Sequence, residues 1–145
     1  MRRSKIILQP LHKRILYLSL GVLWLSGLFW LYLKYFGQVQ GAFGPQSSPW
    51  QPVSMRIHGA LAMVFLVLFG TLLTQHVPWG WTQRQQRSSG VSLLVICGVL
   101  IVTGWGLYYL VDAGIRHWVS LIHWVVGLLF PAIVALHVIL GKSKS

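Results

Sequence analysis

The sequence predicts an all-α membrane protein, a four-helix transmembrane up-down bundle. Hydrophobic residues make up 55% of the 145-residue chain and charged residues only 9%, which is far from the composition of a soluble globular domain. The apolar residues gather in four long runs, at about 14–36, 57–79, 90–111 and 118–141. Each run has about the 20 residues that a bilayer core requires. We therefore expect one integral membrane domain covering residues 1–145.

The basic residues predict the orientation of the four helices. Five precede the first helix, two lie between the second and third, and two follow the fourth, so nine fall on one side of the membrane and three on the other. By the positive-inside rule this bias places both termini in the cytoplasm. The positive-inside rule explains the net charge of +11. Because the basic residues form no stripe, we expect no nucleic-acid partner. The first apolar run is too long for a cleaved signal peptide, so we expect it to be retained.

The connections between the helices differ in length. Those after the second and third helices are short, which favours antiparallel neighbours. Segment 37–54 is the only long loop, and its Gly, Pro and Ser content predicts no regular structure. On the predicted topology it faces outside, as an ordinary tether, a docking surface or a lid over a quinone site.

The scarcity of acids and cysteines narrows the possible chemistry. The chain has one acid, Asp112, and one cysteine, Cys97. General acid–base catalysis, a disulfide within the chain and covalent c-type haem attachment are therefore excluded. A zinc or copper site would need three or four converging ligands, often Cys or carboxylate. With one cysteine and one acid in the chain, we do not expect such a site. We interpret Cys97 as a small buried hydrophobic residue.

Four of the six histidines lie at helical spacings that suit haem iron. His58 and His76 are 18 residues apart, which is about five whole turns, so both leave one face of the second helix. His123 and His137 are 14 residues apart, which leaves them about 40° out of register on the fourth helix. A b-type haem takes one axial ligand from each side, and two helices of a bundle can supply them.

The predicted topology pairs these histidines by membrane side. His58 and His123 lie on the outer side and would hold an outer haem, whereas His76 and His137 would hold an inner haem. The rise along the helix separates the two levels by about 27 Å on the second helix and about 21 Å on the fourth, and a tilt of about 20° absorbs such a mismatch. Histidines that merely anchor helix ends in the interface are the alternative interpretation.

Two further histidines are weaker candidates. His117 is an alternative outer ligand, but it lies about 160° around the helix from His137 and falls in the predicted turn before the fourth helix. His12 lies in the basic segment at the N-terminus, where we expect no membrane partner for it.

Residues near the four histidines are candidates for contact with the haems. On the helix faces between the ligands lie phenylalanines and small residues: Phe65, Phe69, Gly104, Gly127 and Phe130. Their alternative roles are ordinary core and close helix packing. Arginines at the helix ends could bind propionates, Arg56 and Arg116 outside and Arg84 and Arg87 inside. Interfacial snorkelling is their alternative role.

Three segments carry a resemblance to a known family. They are HGALAMVFLVLFGTLLTQH (58–76), GWGLYYL (104–110) and HWVVGLLFPAIVALH (123–137). With them the chain resembles, over nearly its whole length, the four-helix di-haem cytochrome b family. That family includes small membrane cytochromes b and the cytochrome b subunits of formate dehydrogenases, nickel–iron hydrogenases and thiosulfate reductases. The 18-residue spacing of the second helix departs from the 14-residue habit of cytochromes b.

The resemblance implies two haem b groups and an electron-transfer function. We expect a di-haem cytochrome of a bacterial inner membrane that carries electrons between a quinone pool and a partner redox subunit, with a quinone as a further candidate ligand. The sequence carries no flavin or nicotinamide motif and no iron–sulfur cysteine set, so the chain would not complete a substrate reaction alone. The alternatives are a non-redox scaffold or assembly subunit and a haem sensor or carrier.

Overall fold

The computed structural model describes residues 10–82 and 87–143. Four α-helices dominate it, and one short antiparallel hairpin lies between the first two. The helices are α1 (Pro10–Tyr35), α2 (Trp50–Thr82), α3 (Arg87–Tyr109) and α4 (Ala113–Ser143), and the hairpin consists of β1 (Val39–Gly41) and β2 (Gly44–Gln46). The predicted all-α class is confirmed, and each helix is long and apolar enough to cross a membrane.

The exposed surface of the helices is apolar. Val67, Val102 and Ile139 are 73%, 66% and 62% exposed. Exposed apolar area on this scale is costly in water but suits contact with lipid tails. The chain is therefore an integral membrane protein whose helices contact lipid.

The chain divides into two compact units, and each has its own antiparallel helix pair. The first ends at His76 and holds α1, the hairpin and most of α2. The second begins at Val77 and holds the end of α2 with α3 and α4. In the second unit a Cβ added at Gly127 would lie 3.8 Å from Leu100 Cδ2, so α4 approaches α3 closely there. The assignment of residues 1–145 to one domain stays a prediction.

Helix α2 begins well before the predicted residue 57, and the prediction that 37–54 lacks regular structure is wrong. The hairpin pairs Val39 with Gln46, and Gly44 follows its turn with a φ of 109°, which favours glycine. The buried Ser48 side chain accepts the Trp50 N–H at 3.3 Å, as an N-cap does. Pro49 directly precedes α2 and Pro52 lies in its first turn, where the backbone N–H groups have no helical partner.

Helix α4 also begins earlier than predicted, because its start is capped. The Ile115 N–H donates to Asp112 Oδ1 at 2.8 Å, and the Arg116 N–H donates to the Asp112 carbonyl at 3.0 Å. His117 was predicted to lie in a turn but is part of α4. Its side chain is exposed, with its ring edge towards Trp118 at 5.9 Å between centroids.

Candidate haem-binding histidines

His58 is held on α2 by a hydroxyl group of α1. Its half-buried ring places Nδ1 2.9 Å from Ser26 Oγ. The Ser26 hydroxyl donates its hydrogen to the Leu23 carbonyl at 2.6 Å. A hydroxyl has one hydrogen to donate, so Ser26 accepts from His58 and the proton of the imidazole is on Nδ1. The lone pair of this tautomer is on Nε2, the form in which a neutral imidazole binds a metal.

A glycine beside the hydroxyl makes room for the ring of His58. A Cβ built on Gly27 would lie 3.1 Å from Cε1 of His58, which is closer than a comfortable carbon–carbon contact. The dipeptide Ser26–Gly27 therefore does two things: the serine fixes the ring's tautomer, and the glycine lets the ring lie against the backbone of α1.

His123 of α4 has the same arrangement with α3. Its Nδ1 lies 2.9 Å from Thr103 Oγ1, and Thr103 donates to the Val99 carbonyl at 2.6 Å. The proton of the His123 ring is therefore also on Nδ1. A Cβ at Gly104 would lie 3.1 Å from Cε1 of His123, so the small residue expected to contact a haem lies against the edge of the proposed ligand.

His137 repeats the arrangement at the other end of α4. Ser89 Oγ of α3 lies 2.9 Å from its Nδ1, and a Cβ at Gly90 would lie 4.0 Å from its Cε1. Ser89 and Thr103 are 14 residues apart, as are the two histidines of α4. Equal intervals on antiparallel helices allow both contacts to form together.

These hydroxyl partners were not foreseen, although the sequence holds a signal for them. The sequence contains three dipeptides in which Ser or Thr precedes Gly, at 26–27, 89–90 and 103–104. Each of the three lies against a histidine of the neighbouring helix. Of the three glycines, only Gly104 was predicted to lie near a haem, and no role was predicted for the hydroxyl residues that precede them.

The remaining candidate ligands differ from these three. His12 was expected to have no membrane partner, but it lies half-buried in the first turn of α1 and contacts Thr71 of α2. Thr71 donates to the Leu68 carbonyl at 2.6 Å, so the His12 Nε2–H donates to Thr71 Oγ1 at 3.0 Å. His12 thus has the opposite tautomer. His76 is half-buried, five residues after Thr71 on the same helix.

The phenylalanines that were predicted to contact the haems lie on α2 and α4. Phe65 and Phe69 stack on α2 with centroids 6.2 Å apart and planes at 16°, between the two histidines of that helix. Phe130 is 6% exposed and is among the most buried side chains of the described residues.

The four arginines that were predicted to bind propionates differ in their contacts. Arg87 donates from Nε and Nη2 to the Trp81 carbonyl at 3.2 and 2.7 Å, and its guanidinium lies 4.7 Å from the Trp81 ring centroid. Arg116 donates to the Leu110 carbonyl at 3.4 Å. Both contacts are made to carbonyls at helix ends, which lack helical partners, and the roles of these arginines towards propionates stay predictions. Arg56 is exposed two residues before His58, and Arg84 lies outside the described residues.

A buried hydroxyl group lies one turn from His58. Ser54 is 3% exposed, and its Oγ has no hydrogen-bond partner within residues 10–82 and 87–143. Buried hydroxyl groups normally have a hydrogen-bond partner, and the carboxylate of a haem propionate could accept from this one. Together with the Nδ1-anchored imidazoles and the glycines at their rings, Ser54 fits the chemistry of a b-type haem site.

No group of three or more metal-ligating side chains converges within the described ranges. A haem iron takes only two axial side chains, which is fewer than such a group supplies. In the comparisons with known proteins, no family model, curated protein or solved structure matches the chain.

Proposed function

We propose that this protein is a di-haem b-type membrane cytochrome that carries electrons across the bilayer. The observation that carries the proposal is the set of half-buried histidines whose Nδ1 atoms lie 2.9 Å from hydroxyl oxygens of a neighbouring helix. Metal-ligating histidines are held in this way, because the partner of the second ring nitrogen fixes the tautomer and the orientation of the ring. Bound haem would supply one-electron transfer.

The sequence topology assigns the ligands to two levels. On that topology His58 and His123 belong to the outer side, so they would be the ligands of the outer haem. His137 belongs to the inner side. Both outer ligands are the Nδ1–H tautomer, in which Nε2 is the nitrogen that would bind iron, and two such imidazoles would supply the axial ligands of one haem.

The fourth ligand is His76 by helical register or His12 by packing. His76 lies about five turns from His58 on one face of α2. His12 lies against the same helix through Thr71, with its proton on Nε2. Binding iron through Nε2 would require His12 to leave Thr71, which favours His76.

Electron transfer across a membrane requires a donor and an acceptor. We propose a quinol or quinone as one of them and a redox subunit bound to this chain as the other. The folded outer segment, from the hairpin at Val39–Gln46 to the start of α2, is the candidate surface for either contact. It carries Phe43, which is 98% exposed at the hairpin turn, and Trp50, which is 66% exposed.

Haem content tests the proposal directly. We expect two haems per chain by pyridine haemochrome assay, a b-type α band after dithionite reduction, and reduction by a quinol analogue in vesicles. Replacement of His58, His123 or His137 by Gln should remove one haem, whereas His117→Gln should retain both. Of the two inner candidates, His76→Gln should remove the inner haem and His12→Gln should leave it.

The rival function is a non-redox scaffold or assembly subunit. Hydrogen bonds between side chains of adjacent helices also hold helices together in lipid, and the contacts of Ser26, Ser89 and Thr103 would then serve only packing. This function predicts no Soret band in protein made with an adequate haem supply. A protein that binds haem but is reduced by no quinol would instead be a haem sensor or carrier.

A further inference from the structure

Three hydroxyl groups have the same relation to a histidine, although they belong to different helices. Ser26 of α1 contacts His58, and two residues of α3 contact the histidines of α4. In each case the next residue is a glycine. Ordinary helix packing requires small residues, but it does not require a hydroxyl at Nδ1 of a histidine each time.

Two of these hydroxyls can only accept a hydrogen bond from the ring. Ser26 donates to the Leu23 carbonyl and Thr103 to the Val99 carbonyl, both at 2.6 Å. Their own helices therefore orient them with a lone pair towards Nδ1–H. An acceptor at Nδ1–H increases the electron density of the imidazole and makes it a stronger base towards a metal.

We propose that Ser26, Ser89 and Thr103 are positioning residues that lower the midpoint potentials of the haems through the histidines they contact. The inference rests on the proposed function, in which iron on Nε2 leaves the proton of the imidazole on Nδ1, so that Ser89 also accepts from His137. A more basic axial imidazole stabilises ferric iron more than ferrous iron, so each hydroxyl favours the oxidised haem. The glycines at 27, 90 and 104 let the rings lie close enough for the contact.

The midpoint potentials of the two haems should depend on different hydroxyl groups. Ser26 and Thr103 act on His58 and His123, which we assign to one haem, whereas Ser89 acts on His137 of the other. Removal of Ser26 or Thr103 should therefore raise the potential of the same haem, and removal of both should raise it further. Removal of Ser89 should raise only the potential of the other haem.

The test is a redox titration of the full-length protein with both haems bound, followed by optical and EPR spectra. The variants are Ser26→Ala, Ser89→Ala and Thr103→Val, the last of which keeps the shape of the side chain. Thr103→Ser keeps the hydroxyl and should restore the wild-type potential. Ser19→Ala is the matched control on α1, because the Ser19 hydroxyl donates to the Leu16 carbonyl of its own helix at 2.9 Å.

We expect an upward shift of one haem in each variant, a changed ferric EPR signal of that haem, and about ten- to hundred-fold weaker haem binding to the apoprotein. The inference would be overturned if Thr103→Val and Ser26→Ala had the same potentials and EPR signals as Ser19→Ala. That result would leave the cytochrome proposal intact. An upward shift that Thr103→Ser does not reverse would also overturn it. Wild-type protein without haem would instead refute the proposed function itself.

Discussion

The absence of a side chain at Gly104 allows α3 and α4 to approach each other closely at His123. The nearest atom to a Cβ built on Gly104 is Cε1 of the His123 ring, at 3.1 Å. The ring has little freedom to move away, because its Nδ1 is bonded to Thr103 on the same helix as Gly104. The contact therefore couples the choice of glycine at 104 to the orientation of the imidazole.

We expect Gly104→Ala to destabilise the protein by about 1–3 kcal/mol, the usual cost of overpacking, and to weaken haem retention. Gly98→Ala is the control on the same helix, because a Cβ there meets nothing within 4 Å. It should be neutral or stabilising by up to about 1 kcal/mol, since Ala is the better helix former. Thermal unfolding in detergent measures the stability of both variants. Equal changes in Tm for Gly104→Ala and Gly98→Ala would show that a methyl group at 104 is accommodated without strain.

The sequence predicted some features of the candidate site and missed others for a physical reason. The positions of His58, His123 and His137 on helices could be predicted from the sequence, because helical spacing depends only on distance along one helix. The partners of their Nδ1 atoms lie on other helices. Those contacts depend on which residues of antiparallel helices lie at the same height, and the equal 14-residue intervals of α3 and α4 become informative only once the two helices are known to pair.

Among the elements, helix centres were predicted well and helix starts poorly. The apolar runs at 57–79 and 118–141 fall inside α2 and α4, and the other two pass the ends of α1 and α3 by one and two residues. The agreement is close because burial in lipid depends on hydropathy summed over many residues. The starts of α2 and α4 depend instead on single caps, Ser48 and Asp112. The pattern Ser–Pro at 48–49 is typical of a capped helix start, but in a Gly- and Pro-rich segment it was interpreted as loop.

The cap predicts the effect of a single change. Ser48→Ala should remove the acceptor of the Trp50 N–H and destabilise the first turns of α2 by about 1 kcal/mol. Hydrogen–deuterium exchange of a peptide covering 48–56 should then speed up. Ser47→Ala, at the exposed neighbouring residue, is the matched control and should leave exchange unchanged. The same rate in both variants would mean that Ser48 does not hold the start of the helix.

For the whole molecule, the single cysteine offers a test of orientation. Cys97 is 5% exposed, midway along α3, so a membrane-impermeant maleimide should not label the wild-type protein. Phe43→Cys, at the exposed hairpin turn, should be labelled from the outer side of intact cells. Ser88→Cys, exposed at the start of α3, should be labelled only in inverted vesicles. The opposite result would invert the predicted topology and exchange the outer and inner assignments of every histidine.

The cap on α4 has a consequence for the lipids around the protein. The only carboxylate side chain of the chain belongs to Asp112 and already accepts the Ile115 N–H, while the formal net charge is +11. Counterions must therefore come from the surroundings. Anionic headgroups attract each Lys or Arg near a membrane surface by about 1 kcal/mol, and most of these residues are predicted on the cytoplasmic side. We therefore expect an annulus enriched in anionic lipid on that side, which purification into zwitterionic detergent would remove.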